Sequence, residues 1–180
     1  MTKAININKT YENFFKTIAG TSDAKDKLSI NNSDSYIFKH RYDLIRFAAA
    51  IGYHFDTREK LSSDSITLMD ARLVSTQKDL VDDVNIMAVA ISGSEDIYNA
   101  DNEEEREKNL SLRYDIYQEF LNGGLNKLYE WYSMGAINPH ELIIEKLLEE
   151  KIIEEKIIDN KLKVEIAGSK RKRIRAPKLK

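Results

Sequence analysis

Cysteine is absent from this chain of 180 residues. That removes disulfides, thiolate metal sites and thiol nucleophiles together, and it fits a reducing compartment. Proline occurs twice and glycine seven times, too seldom for the many turns of an all-β chain, so helices are expected. The longest apolar run is Ile86 to Ile91, far short of the roughly 20 residues of a membrane span. The opening MTKAININKTYENFF holds no apolar stretch of signal-peptide length. The chain therefore reads as cytoplasmic and free of membrane.

What the chain does have is charge, unevenly placed. It is 42% hydrophobic and 32% charged, with a formal net charge of -2. The last eleven residues, KRKRIRAPKLK, hold seven Lys or Arg and no acid, which leaves about -9 on residues 1–169. A segment of that composition cannot fold alone, and such segments grip phosphates without reading sequence. Lys170, Arg171, Lys172, Arg173, Arg175, Lys178 and Lys180 are the expected nucleic-acid contacts. In extended form Arg171, Arg173 and Arg175 project to one side, and Lys170 and Lys172 to the other. A solvated end, or a peptide docking on an acidic partner, are the competing readings.

Periodicity predicts a mainly α protein, a bundle of five or six helices. Residues 1–9 read as loose. Thr10 is placed to cap a short helix through Phe14, Phe15 and Ile18, ended by Gly20, and a Ser/Asn/Asp-rich loop follows to Ser35. Leu44, Ile45, Phe47, Ala48, Ala49 and Ile51 give a central helix closed by Gly52, with three alanines that allow a neighbouring backbone to come close. Residues 55–76 read as irregular. Asp79 opens a second apolar helix, with Leu80, Val84, Met87, Ala88 and Ile91 in register, stopped by Gly93. The acidic stretch Glu95 to Glu107 leads into a helix carrying Leu110, Tyr114, Tyr117 and Leu121, widened by Leu112, Ile116 and Phe120. Asn122-Gly123-Gly124 reads as a sharp break before an antiparallel follower with Leu125, Leu128, Tyr129 and Tyr132. Pro139 starts the last helix. Its repeated EEKII unit advances about 140° net per repeat, so either that helix is wrapped on several sides or it ends near Glu154 and an extended element, Lys161 to Ile166, follows. The expected organisation is an N-terminal helix and loop over 1–35, a helical core over 36–160 and a basic tail over 161–180.

Three landmarks stand in one order: YDLIRFAAAIGYHF, VNIMAVAISGSEDI and YDIYQEFLNGGLNKLYEW. In that order and spacing the chain resembles the small proteins known as Dnd-system-associated protein four, from Tyr36 to Leu148. These are encoded beside bacterial DNA phosphorothioation and its linked restriction genes. The resemblance implies an anti-phage context and no particular reaction. The basic tail lies outside it.

No residue set points to catalysis, a metal or a cofactor. His40, His54 and His140 are widely spaced, with no i, i+4 pair flanking a Glu. Glu149-x-Lys151 and Glu154-x-Lys156 mimic part of a nuclease signature, but no strand with an Asp precedes them, and a solvated helix face explains them better. Gly123-Gly124 lacks the Lys-Ser/Thr of a phosphate loop. Trp131 falls off the Leu125–Leu128–Tyr132 stripe. That makes it, with Tyr132, an expected exposed anchor for a protein interface. The reading is a non-catalytic accessory subunit of a DNA modification or restriction system. It docks on a larger protein or on a second copy of itself, and its tail touches DNA. A stand-alone DNA-binding regulator is the second reading and a small metal-dependent nuclease the third.

Overall fold

A strand comes first, where a loose end is expected. Ile5-Asn6-Ile7-Asn8 alternates apolar and polar residues, and this segment is β1 (Ile5–Asn8), with Ile5 and Ile7 fully buried. The computed structural model describes residues 2–19, 38, 40–133 and 139–150. A single 3-10 turn leads from β1 into α1 (Glu12–Ile18), which has no side-chain cap from Thr10 and buries Phe14, Phe15 and Ile18 as expected.

The next helix, α2 (Arg41–His54), buries Leu44, Ile45, Ala48, Ala49 and Ile51. It does not end at Gly52. The left-handed residue after the helix is Asp56, at φ 48, a residue type that tolerates that region. The following segment is more regular than its turn-forming residues suggest. It contains β2 (Ser65–Met69), antiparallel to β1, and α3 (Ala71–Thr76), whose N-terminus is capped by the Asp70 carboxylate accepting from Leu73 N–H. The α4 helix (Lys78–Ser92) buries Leu80, Val84 and Ala88, and it ends at Gly93 in the left-handed conformation, φ 68.

The largest correction concerns α5 (Glu103–Ser133), which runs unbroken through Asn122-Gly123-Gly124 for 31 residues, about 46 Å at the usual rise. It is the axis of its unit: α2, α4 and β1 all lie against it. Leu110, Tyr114, Tyr117, Phe120, Leu121, Leu125 and Leu128 are buried along it, whereas Leu112 is exposed. The fold is thus mainly helical with one small two-stranded sheet, order β1-β2. The sheet pairs the start of the chain with Ser65–Met69, and Lys161 to Ile166 fall outside the described residues.

Two compact units divide the chain, Met1–Gly135 and Ala136–Lys180. In the second, α6 (Pro139–Glu149) begins at the expected proline, and Lys146 donates to the Glu149 carboxylate one turn on. The course of the chain past Glu154 is also outside the described residues.

Candidate functional site

The glycines that read as helix stops are a packing seam. A β-carbon on Gly52 would lie 2.0 Å from the Phe120 carbonyl oxygen, and one on Gly124 would lie 1.8 Å from the Ala48 carbonyl oxygen. Each helix thus presents a glycine to the other's backbone. A β-carbon on Gly123 would meet the Thr57 carbonyl oxygen at 2.1 Å. Glycine within a helix costs about 1 kcal/mol against alanine, and here it allows α2 and α5 to cross at backbone contact. Ala48 and Ala49, fully buried beside the seam, serve the same approach.

Beside the seam, α5 also satisfies the free edge of β1. Gln118 and Asn122 are one helical turn apart. The Gln118 side-chain oxygen accepts from Asn6 N–H at 2.7 Å, and that of Asn122 accepts from Asn8 N–H at 2.8 Å. Asn122 Nδ2 in turn donates to the Gln118 carbonyl at 2.8 Å. The Asn8 side chain donates to Glu59 Oε1 at 2.6 Å, and Tyr11 O–H donates to the other Glu59 oxygen at 2.5 Å. These bonds tie the N-terminal strand, the loop after α2 and α5 into one network. Buried amides left unpaired would each cost a substantial part of the molecule's net stability.

Burial and the adjacent Glu59 carboxylate push the Tyr11 phenol well above its ordinary value. Burial does the same to Tyr117, with Asp83 adding to it and Arg46 opposing. An unfolded tyrosine titrates near 10. Above that pH the unfolded chain sheds protons that the folded chain keeps, so stability falls as pH rises and is unaffected by these groups below about pH 9. The slope is about 1.4 kcal/mol per pH unit for each such tyrosine. Urea melts between pH 8 and 11 should show this decline, and Tyr11→Phe should remove about one tyrosine's share of it.

On the other side of α5 the packing is open. Helices α2 and α4 both rest on α5 but hardly touch each other. Between them runs a cleft of about 400 Å³ whose lining includes Phe47, Ala50, Tyr53, Ile86, Met87 and Tyr117. Tyr117 comes from α5, and its hydroxyl is buried without a hydrogen-bond partner. Arg46 bridges the cleft: its Nε donates to Asp83 Oδ2 at 2.5 Å and its Nη2 to Asp83 Oδ1 at 3.3 Å. Ile86 is 68% exposed. It also lines a second, shallower hollow with Val89, Ala90 and Tyr98, so one apolar strip extends over α4. Sequence reasoning missed this strip. Ile86 stands off the buried stripe of α4, and an apolar residue on the wrong face was the signal available.

The expectation of an exposed indole is corrected. Trp131 is 2% exposed, with its ring edge-on to Phe55 at 5.8 Å between centroids and Lys127 Nζ 6.0 Å from it. A central helix is covered on several sides, so leaving one stripe does not bring a residue to solvent. Tyr132 is half-buried with its ring 5.4 Å from that of Phe14. The two are adjacent in sequence and do not form an outward pair.

His40 stacks on Tyr42 at 5.6 Å, and His54 stands edge-on to Phe55 at 4.8 Å. Asp56 pairs with Arg58 at 3.9 Å. Among the described residues no group of three or more His, Asp or Glu is placed to hold a metal ion. No helix among them is long and apolar enough to cross a membrane. Lys170, Arg171, Lys172, Arg173, Arg175, Lys178 and Lys180 lie outside the described residues, as does the side chain of His140.

No curated protein and no solved structure matches the chain. Residues 7–164 match the model of the family described as DNA sulphur modification system-associated protein 4. The chain belongs to that family, as its three landmarks imply. The match also takes in residues from β1 onward, well before Tyr36.

Proposed function

From membership of a family tied to DNA sulphur modification, we propose that this protein is a non-catalytic accessory subunit of such a system. Its helical body docks on a larger protein of the system, and its basic tail adds contacts to DNA phosphates. The observation that carries the docking half is the open cleft between α2 and α4, with Ile86 left exposed at its edge. Isolated apolar residues on a surface are ordinary, but a continuous apolar strip rimmed by charge marks an interaction face. The tail half is supported by composition: seven cations in eleven residues on a chain that is otherwise acidic.

Deleting residues 170–180 should weaken binding to duplex DNA at low salt regardless of sequence. It should also flatten the dependence of log affinity on log salt. If all seven cations engage phosphates, the slope falls by about 6. Fluorescence anisotropy over a salt series measures both. Binding that survives the deletion, or that favours one DNA sequence strongly at moderate salt, would instead make the protein a DNA-reading regulator.

A further inference from the structure

Among the described residues, helices α2 and α4 form two walls of a groove and α5 its floor, a helical bundle with one position open. The walls are of helical length and spacing. Phe47, Ala50 and Tyr53 follow one another at three-residue steps on α2, and Asp83, Ile86 or Met87, and Ala90 do so at three- and four-residue steps on α4. Two turns of each helix are therefore presented side by side. Ala50 and Ala90 keep the walls low, so a third helix can approach at ordinary interhelical distance.

Among the described residues the charge around the groove is predominantly negative. Asp79 and Asp82 stand exposed at the start of α4, and Glu95 and Asp96 stand exposed just past its end. The nearby cations are largely engaged. Arg46 is held by Asp83 and reaches Asp79 at 3.5 Å. Arg113 donates to Asn85 Oδ1 at 2.9 Å and lies 4.6 Å over the Tyr98 ring. Lys78 is the exposed exception among the described residues. An occupant with an apolar stripe and basic flanks fits this surface, and an acidic one is repelled.

We infer that the groove between α2 and α4 receives an amphipathic helix of a partner protein, with apolar anchors at i, i+3 or i+4 and i+7 and Lys or Arg on its flanks. This rests on the reading of the chain as a docking subunit. It commits to one partner chemistry and one face.

The full-length protein with the photo-reactive residue p-benzoylphenylalanine in place of Ile86 tests it, expressed in its native cells. The same residue in place of Leu112, exposed on α5 and not part of the groove lining, is the control. Crosslinks from position 86 should map to a segment of a DNA sulphur modification component with that apolar spacing and basic flanks. In parallel, Ile86→Lys should lower recovery of that component by about tenfold or more, the size of effect expected of a central anchor. Leu112→Lys should leave recovery unchanged. The melting temperature of Ile86→Lys should stay at the wild-type value, because the side chain already faces solvent. Reversing Asp79 and Asp82 to Lys should also weaken recovery, and the wild-type interaction should weaken with salt. Crosslinks to a second copy of this chain, to an acidic or extended segment, or only to a small molecule would overturn the inference. So would full recovery with Ile86→Lys while the wild type co-purifies a component, although the docking reading would then stand. If the wild type recovers no component at all, the docking reading itself fails.

Discussion

Replacing Gly124 with alanine should destabilise the protein by at least about 3 kcal/mol, the upper end of what overpacking usually costs. In a chain of this size that lowers the melting temperature by roughly 6–12 °C. The prediction has a sign that local propensity reverses. Alanine is the better helix former by about 1 kcal/mol, so a glycine in an isolated helix should gain from the change. Here the added carbon falls 1.8 Å from the Ala48 carbonyl oxygen and 2.8 Å from Gly52 N, both backbone atoms with no rotamer to yield. Gly52→Ala meets the Phe120 carbonyl at 2.0 Å and should behave alike. Gly93→Ala provides the contrast. It has open space around it but φ +68, so its cost is conformational, about 1 kcal/mol. Thermal or urea melts of the three variants should therefore rank Gly124 and Gly52 well above Gly93. A Gly124→Ala protein as stable as the wild type would refute the close crossing of α2 and α5.

The second large effect is expected at Asn122. Asn122→Ala should cost about 1–3 kcal/mol, because it leaves the buried Asn8 N–H without a partner, whereas the Gln118 carbonyl keeps its helical bond. Asn122 is fully buried and Asn8 nearly so, so water cannot easily replace the bonds. Gln118→Ala exposes the same logic in weaker form, since the Asn6 amide it serves is only partly buried and should cost less. Hydrogen exchange separates the local from the global effect. The Asn8 amide should lose protection in Asn122→Ala by more than the amides of α4 do. Uniform loss across the unit would mean that the asparagine supports packing in general and not the strand edge.

Much of this architecture was legible in the residues. The apolar spacing of Leu44 to Ile51, of Leu80 to Ala88 and of Leu110 to Leu121 placed α2, α4 and the first part of α5. Gly93 and Pro139 marked a stop and a start for the expected physical reasons. What could not be read depends on neighbours distant in sequence. Whether Gly123-Gly124 ends a helix or admits another backbone is decided by Ala48 and Thr57, some seventy residues away. The four residues of β1 alternate correctly, but a strand this short is specified by pairing with Ser65–Met69 and by the two side chains on α5 that satisfy its edge. The burial of Trp131 is not legible from a single stripe, because this stretch of α5 is covered on more than one side. The same limit hid the groove. Ile86 is unremarkable in sequence and becomes informative only when α2 and α4 are seen to stand apart over Tyr117.

The docking claim meets its most direct test in native mass spectrometry of the full-length protein purified from its own cells after nuclease treatment. The expected result is a complex heavier than this chain alone, containing a component of the DNA sulphur modification system, and retained when residues 170–180 are removed. A chain that emerges alone after nuclease treatment, or an assembly that disappears with the tail, would contradict it. The first outcome would leave DNA as the link between the components, and the second would place the protein contact on the tail and not on the helical body.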